Sequence, residues 1–222
     1  TNTNDNAVST LSDSNSGTNT VAENATVGTA VGVTALATDA DTGATITYSL
    51  SDDAGGKFAI NSSTGVVTVA SALDYESATS HTITVLATSS DGSTNSGNYT
   101  IVVTNTNEAP TITSGATATF AENATGTVYT ATATDPDAST TLSYSLSGTD
   151  AALFNIDSST GAVTFKAAPN YEAASDAGGN NVYDINVIAS DGTLTATKAV
   201  AITVTNTNDN AVSTLSDSNS GT

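Results

Sequence analysis

The sequence predicts an all-β chain of two tandem seven-stranded Greek-key β-sandwiches, immunoglobulin-like in class and joined end to end. Three observations point there. Apolar residues alternate with polar ones at a period of two, in stretches rich in Val, Ile, Thr and Tyr. Gly, Asp, Asn and Ser interrupt these stretches every few residues, and no amphipathic helical pattern is visible. The second half of the chain repeats the first in outline.

Taken in order, residues 7–18 are read as the first strand of domain 1, by analogy with Ala109-Pro110-Thr111-Ile112, which opens domain 2. TYSLS at 47–51 returns as SYSLS at 143–147. FAINSSTG at 58–65 returns as FNIDSSTG at 154–161, so SSTG reads as the turn of a hairpin between Phe58–Ile60 and Val66–Val69 and in its domain 2 counterpart. Ile83, Val85 and Ala87 face one way along a strand, as do Tyr99, Ile101 and Val103 along the next. Domain 2 repeats this with Tyr183, Ile185, Val187 and Ala189, then Val200, Ile202 and Val204. Tyr48, Phe58, Tyr99, Tyr144, Phe154 and Phe165 are candidate core residues. The domain reading is 1–6 as the linker end of a preceding repeat, 7–105 as domain 1, 106–206 as domain 2, and 207–222 as linker and orphan first strand of a next repeat.

A longer repeat overlies the short one. Residues 1–18 and 205–222 are both TNTNDNAVSTLSDSNSGT, a period of 204 residues. The two-domain pair is therefore expected to recur in a longer array, of which this chain reads as an excised fragment. The tail 211–222 is expected to be disordered or to replace residues 7–18 of a neighbouring molecule.

Composition excludes several functions. The chain carries 22 acidic residues against three basic ones, Lys57, Lys166 and Lys198, for a net charge of −19. Nucleic-acid binding needs cations to neutralise phosphates, and anionic lipid needs them likewise. Cysteine is absent, which removes disulfides and thiolate metal sites. No apolar run approaches the length of a membrane span, so no direct membrane insertion is expected. The one histidine, His81, cannot build a zinc site or a triad alone, and no nucleophile elbow or phosphate loop appears, so no enzyme is expected.

The acids recur at fixed places: an ENAT segment, a D-x-D pair, a Y-E pair, an S-D-G turn and an N-T-N-[DE] end. A merely solvated surface has no need of the same positions twice. The order VAEN, DADTG, LDYE, SSDG and VTNTNEAP, laid over alternating strands, resembles the cadherin repeat, and in composition the bacterial cadherin-like repeats of large secreted RTX-type adhesins. The resemblance implies calcium held at the junction between domains. It assigns to the central junction Glu23, Asp74 and Glu76 of domain 1, Asn105, Asn107 and Glu108 of the linker, and Asp135, Asp137 and Asp191 of domain 2. It implies incomplete terminal half-sites from Asn2, Asn4 and Asp5 with Asp39, Asp41 and Asp91, and from Glu122, Glu172, Asn206, Asn208 and Asp209. Two departures weaken the pattern: Asn105 stands where the family linker has Asp, and LDYE becomes Pro169-Asn170-Tyr171-Glu172.

Length is made by copying, whereas a specific binding site need occur once. The expected role is therefore an extracellular extender on a bacterial cell surface, its partners being neighbouring repeats of the same chain. The alternative is a directly adhesive module that binds itself or a polysaccharide.

Overall fold

A computed structural model of the chain describes residues 6–208. Asn2, Asn4, Asp5, Asp209 and the 211–222 tail lie outside the described residues. The chain divides into two compact units, Thr1–Asn107 and Glu108–Thr222.

The first unit contains β1 (Ser12–Asp13), β2 (Thr20–Ala22), β3 (Ala30–Leu36), β4 (Ile46–Asp52), β5 (Phe58–Ile60), β6 (Val66–Val69), β7 (Ser80–Ser89) and β8 (Thr94–Thr104). They form two four-stranded sheets, β1-β3-β6-β5 and β2-β8-β7-β4. The connections β3 to β4, β4 to β5 and β6 to β7 pass from one sheet to the other, as in a Greek-key sandwich. The second unit contains β9 (Thr111–Ile112), β10 (Thr117–Ala121), β11 (Thr127–Thr130), β12 (Ala133–Thr134), β13 (Ser143–Ser147), β14 (Phe154–Ile156), β15 (Ala162–Phe165), β16 (Val182–Ser190) and β17 (Thr195–Thr205). Its sheet β10-β17-β16-β13 matches β2-β8-β7-β4, and β11-β15-β14 with the pair β12-β9 makes up the facing sheet.

The strands number seven per unit once interrupted ones are counted whole. The opening segment of each unit changes sheets partway: β1 pairs antiparallel with β3, whereas β2 pairs parallel with β8. Beyond the two β1 pairs, Ser9 N–H donates to Thr38 O and Ser14 N–H to Thr34 O. In β3 a register shift falls between Ala30 and Thr34. Gly32 sits there at φ +87°, where a Cβ would lie 2.3 Å from the Thr18 carbonyl oxygen.

Each sandwich closes on the residues that the alternation marks. Ile83, Val85, Ala87 and Ile101 are fully buried against Val31, Val33, Val67 and Val69 of the facing sheet. In the second unit Tyr183, Ile185, Val187, Val200, Ile202 and Val204 pack with Val163 and Phe154. Each such Val or Ile, taken fully out of water, contributes about 1.5–3 kcal/mol. Tyr99, Tyr144 and Phe165 are only partly buried and lie against these cores. His81 is an ordinary residue of β7, its ring edge-on to Phe58 at 5.7 Å.

The hairpin turns form as the repeat implies. Asn61 Oδ1 accepts the N–H groups of Ser63 and Thr64, each at 3.0 Å, and Asp157 Oδ1 accepts those of Ser159 at 2.9 Å and Thr160 at 3.0 Å. Gly65 and Gly161 close the turns at φ +69° and +71°, where a Cβ would stand 2.2 and 2.3 Å from a carbonyl oxygen of the facing strand segment.

Candidate functional site

The recurring acids gather at the ends of each unit. At the end of the first unit that leads out through β8, the chain turns at Glu23 directly after β2. The Glu23 side chain is buried, 7% exposed. Its Oε2 accepts Tyr75 N–H at 2.7 Å and its Oε1 accepts Thr106 N–H at 2.7 Å. One carboxylate therefore ties the 74–76 loop to the segment leaving β8. Glu76 and Glu23 each bring a carboxylate oxygen within 4.8 Å of the other. Asn105 Nδ2 donates to Glu76 Oε1 at 3.3 Å. Asp74 caps its own turn, accepting Ser77 Oγ–H at 2.7 Å and Ser77 N–H at 2.9 Å, and these bonds hold its pKa below the usual carboxylate value.

The second unit builds the same end. Glu122, 3% exposed, accepts Tyr171 N–H at 2.8 Å and Thr207 N–H at 2.7 Å. The Thr207 amide, then that of Tyr171, lowers its pKa. Asn206 Nδ2 donates to Glu172 Oε1 at 2.8 Å. Asn170 replaces Asp74 and still caps its turn, accepting Ala173 N–H at 3.0 Å. Asn107 and Asn208 lie in the segments that follow, outside any strand.

The opposite end of each unit carries the D-x-D pair. In the first, Asp39 Oδ1 accepts Asp41 N–H at 2.9 Å. Asp41 is buried and accepts Asn6 N–H at 3.2 Å on Oδ2 and Asn6 Nδ2–H at 2.9 Å on Oδ1. Asp91 Oδ1 accepts Ser93 N–H at 2.7 Å, which lowers the Asp91 pKa. Oxygens of Asp39, Asp41 and Asp91 lie within 4.8 Å of one another. In the second unit Asp135 Oδ1 accepts Asp137 N–H at 2.9 Å, and Asp137 Oδ2 accepts Glu108 N–H at 2.8 Å. Asp191 Oδ1 accepts the N–H groups of Thr193 and Leu194 in its own turn, each at 2.6 Å. Among the described residues, the groupings of acids with oxygens within 4.8 Å of one another include the Asp39 trio and not Asp135, Asp137 and Asp191 together.

One observation separates these ends from ordinary turn capping. Asp39 Oδ2 and Asp135 Oδ2 are buried carboxylate oxygens without a hydrogen-bond partner. Such an oxygen is costly unless something satisfies it. The two are the same position in two diverged domains, and each stands beside a second Asp. All-oxygen carboxylate and amide donors of this kind suit a hard cation such as Ca²⁺.

Sequence reasoning did not single out three features. Asn6, in the linker by sequence, bonds to both oxygens of Asp41. Asp150, 4% exposed, accepts Ala177 N–H at 2.8 Å and Asp184 N–H at 2.7 Å. Asp176, 6% exposed, accepts the N–H groups of Asn180 and Asn181 at 3.0 Å. Burial opposes the ionisation of Asp176, and those amides outweigh it and hold its pKa low. The Asp150 and Asp176 bonds pin a loop that domain 1 lacks. The signal was present: Tyr171 to β16 takes several residues more than Tyr75 to β7, and the extra stretch reads SDAGGNN.

Fold and ends together define a class: tandem β-sandwich repeats with acidic clusters at their ends, the build of an extracellular adhesion-type module. The chain belongs to the cadherin family: the cadherin domain model matches residues 18–105 and 116–205. Protocadherin Fat 4 of mouse (Mus musculus) is 35% identical over 164 residues, 69% of this chain and 3% of that protein. Cadherin-23 of mouse is 34% identical over 203 residues, 85% of this chain and 6% of that protein. The chain thus spans a few per cent of the length of these curated relatives. Among solved structures, mouse Cadherin-23 EC22-24 superposes with a TM-score of 0.61 at 30% identity, covering 92% of this chain and 66% of that one. The protocadherin gammaB7 EC3-6 cis-dimer structure gives a TM-score of 0.61 at 26% identity, covering 94% and 53%. Cadherin domains are adhesion modules and not enzymes. No helix among the described residues is long and apolar enough to cross a membrane.

Proposed function

We propose that this chain is a stretch of calcium-stiffened extender repeats from a large bacterial cell-surface adhesin, working outside the cell. Calcium is held where one repeat hands over to the next. Glu23, Asp74, Glu76, Asn105, Asn107 and Glu108 supply ligands from one side, and Asp135, Asp137 and Asp191 from the other. The observation that carries the calcium reading is the orphaned, buried Oδ2 of Asp39 and of Asp135. Without the ion, seven carboxylates assigned to one junction repel one another. With it, ligands from successive domains share ions, and bending the linker costs metal–oxygen bonds. The extender role is supported by the verbatim return of residues 1–18 at 205–222. The bacterial source is supported by the composition: three lysines, no arginine and no cysteine in 222 residues.

Isothermal titration of the chain with Ca²⁺ tests this reading. Heats that saturate, and that fall sharply in an Asp135→Asn, Asp137→Asn double variant, are the expected result. Absence of binding at millimolar Ca²⁺ ends it.

A second reading, direct self-association, is favoured by the cis-dimer named for the protocadherin gammaB7 relative. Sedimentation of the chain with and without calcium distinguishes it, since an extender stays monomeric in both.

A further inference from the structure

We propose that domain 2 carries a shallow binding site for a neutral sugar, one hexopyranose unit of a glycan chain. The site lies on an outward sheet face that domain 1 keeps closed. It goes beyond the extender reading and does not depend on calcium.

The site is a hollow of about 340 Å³ on the outer side of the sheet β10-β17-β16-β13. Tyr183, Ile185, Val200 and Ile202 face the core, so Asp184, Asn186, Ala199 and Ala201 between them face outward. The register sets Asp184 opposite Ala201 and Asn186 opposite Ala199. Gly148 and Thr149 bound the hollow just past the end of β13, and Ala116 bounds it just ahead of β10. The alanine methyls form the floor, and a carboxylate, a carboxamide and a hydroxyl form the wall.

Domain 1 shows that this hollow does not come with the fold. Its matching positions on β7 and β8 are Thr82, Thr84, Asn98 and Thr100. The Thr82 and Thr100 hydroxyls meet at 3.4 Å, and Thr84 Oγ1 donates to Asn98 Oδ1 at 3.0 Å. Those side chains cover the strands and bond one another across the sheet. In domain 2 an alanine methyl has nothing to offer Asp184 or Asn186 in return. Alanine is also a poor strand former, so two of them on one face of a central strand cost stability.

The wall of the hollow is held in place. Asp184 N–H donates to Asp150 Oδ2 at 2.7 Å, and its carbonyl accepts Asp150 N–H at 3.1 Å. Asp150 Oδ1 takes Ala177 N–H at 2.8 Å. The buried Asp150 thus ties the loop that domain 1 lacks to the strand that presents the Asp184 side chain, and a site on a fixed strand keeps its geometry. Gly148 runs so close to β16 that a Cβ there would lie 2.9 Å from the Asn186 nitrogen. The close approach requires glycine, and the missing side chain leaves that end of the hollow open.

The chemistry selects the ligand. Among the described residues of these four strands, Asp184 is the one outward-facing charge. A phosphorylated, sulfated or uronic acid unit would meet that carboxylate and a net charge of −19. Asp184 and Asn186 stand about 6.7 Å apart along β16, a spacing that suits hydroxyls on one edge of a pyranose ring. The carboxylate accepts hydroxyl protons, and the carboxamide and the Thr149 hydroxyl both accept and donate. The C–H face of the ring rests on the Ala199 and Ala201 methyls and leaves water there. A lone ammonium group would use the carboxylate and leave the floor and the Asn186 donors idle.

The test is a titration of the ¹⁵N-labelled 222-residue chain, in chelator, with the methyl glycosides of glucose, galactose and mannose, followed by amide chemical shifts. We expect saturable shifts at Thr149, Asn186, Ala199 and Ala201 with at least one glycoside, at a millimolar Kd. Asp184→Ala weakens binding by about tenfold. The double variant Ala199→Asn, Ala201→Thr, which copies domain 1, abolishes the saturable shifts. The Asp184 side chain is exposed and its bonds to Asp150 are made by its backbone, so Asp184→Ala melts with the parent. No saturable shift with any of the three glycosides overturns the proposal, as do shifts that Asp184→Ala leaves unchanged. Saturable shifts with n-butylammonium and not with the sugars overturn it in favour of a cationic ligand. The chelator separates the two readings: failure here leaves calcium binding standing, and failure of calcium uptake leaves the sugar site standing.

Discussion

Replacing Glu23 by alanine removes a carboxylate that holds two backbone amides, Tyr75 N–H and Thr106 N–H, each at 2.7 Å, from a side chain only 7% exposed. Hydrogen bonds to a charged group contribute about 1.5–3 kcal/mol each. Both donors stand close to the end of the domain, where water can partly replace the lost acceptor, so the lower figure applies to each. The expected loss is about 3 kcal/mol, or roughly 12 °C or more in the melting temperature of a domain of this size. The measurement belongs in chelator, so that no metal contributes. Amide hydrogen exchange adds a local readout: protection at Tyr75 and Thr106 should vanish while protection at Ile83 and Ile101 falls only with global stability. Glu23→Gln keeps one acceptor and should lose about half as much. An alanine variant within 0.5 kcal/mol of the parent, or with Tyr75 and Thr106 still protected, refutes the idea that this side chain organises the end of the domain.

Three further outcomes follow from the same geometry. Asp135→Asn keeps the Oδ1 acceptor for Asp137 N–H and removes the charge from the orphaned oxygen, so in chelator the domain should be as stable or more so, while calcium affinity should fall; denaturation with and without calcium reads both signs. Gly161→Ala forces a Cβ to 2.3 Å from the Ala131 carbonyl oxygen at φ +71°, and should destabilise domain 2 by at least about 2 kcal/mol in chemical denaturation. The Ser159 hydroxyl and the Thr160 and Ser159 amides hold Asp157 at about 2, below its ordinary value of 3.8, so its stabilising contribution is present above the ordinary value and disappears as the pH falls from about 4 to about 2. Asp157→Asn, which copies Asn61 of domain 1, should keep the turn and remove that part of the acid sensitivity in a denaturation series.

The sandwich was legible because alternation is a local signal. Ile83, Val85 and Ala87 show their burial through the polar residues between them, and the same holds for Ile185, Val187 and Ala189. The turns were legible because Asn61 and Asp157 accept bonds from residues two and three places on. The switch of the opening segment between sheets was not legible, since β1 and β2 differ in partner and not in pattern. The acids were legible as positions through their recurrence. Their bonding was not: Glu23 is fixed by amides 52 and 83 residues away, and Asn6 meets Asp41 across 35 residues. Only folding reveals that Asp39 and Asp135 are left with an unsatisfied oxygen.

Small-angle scattering of the 222-residue chain, in millimolar calcium and again in excess chelator, tests the central claim most directly. The account predicts a distance distribution that lengthens and narrows when calcium is present, with the change lost in an Asp135→Asn, Asp137→Asn variant. A profile that is the same in both solutions contradicts it, and would leave the recurring acids as caps of their own turns.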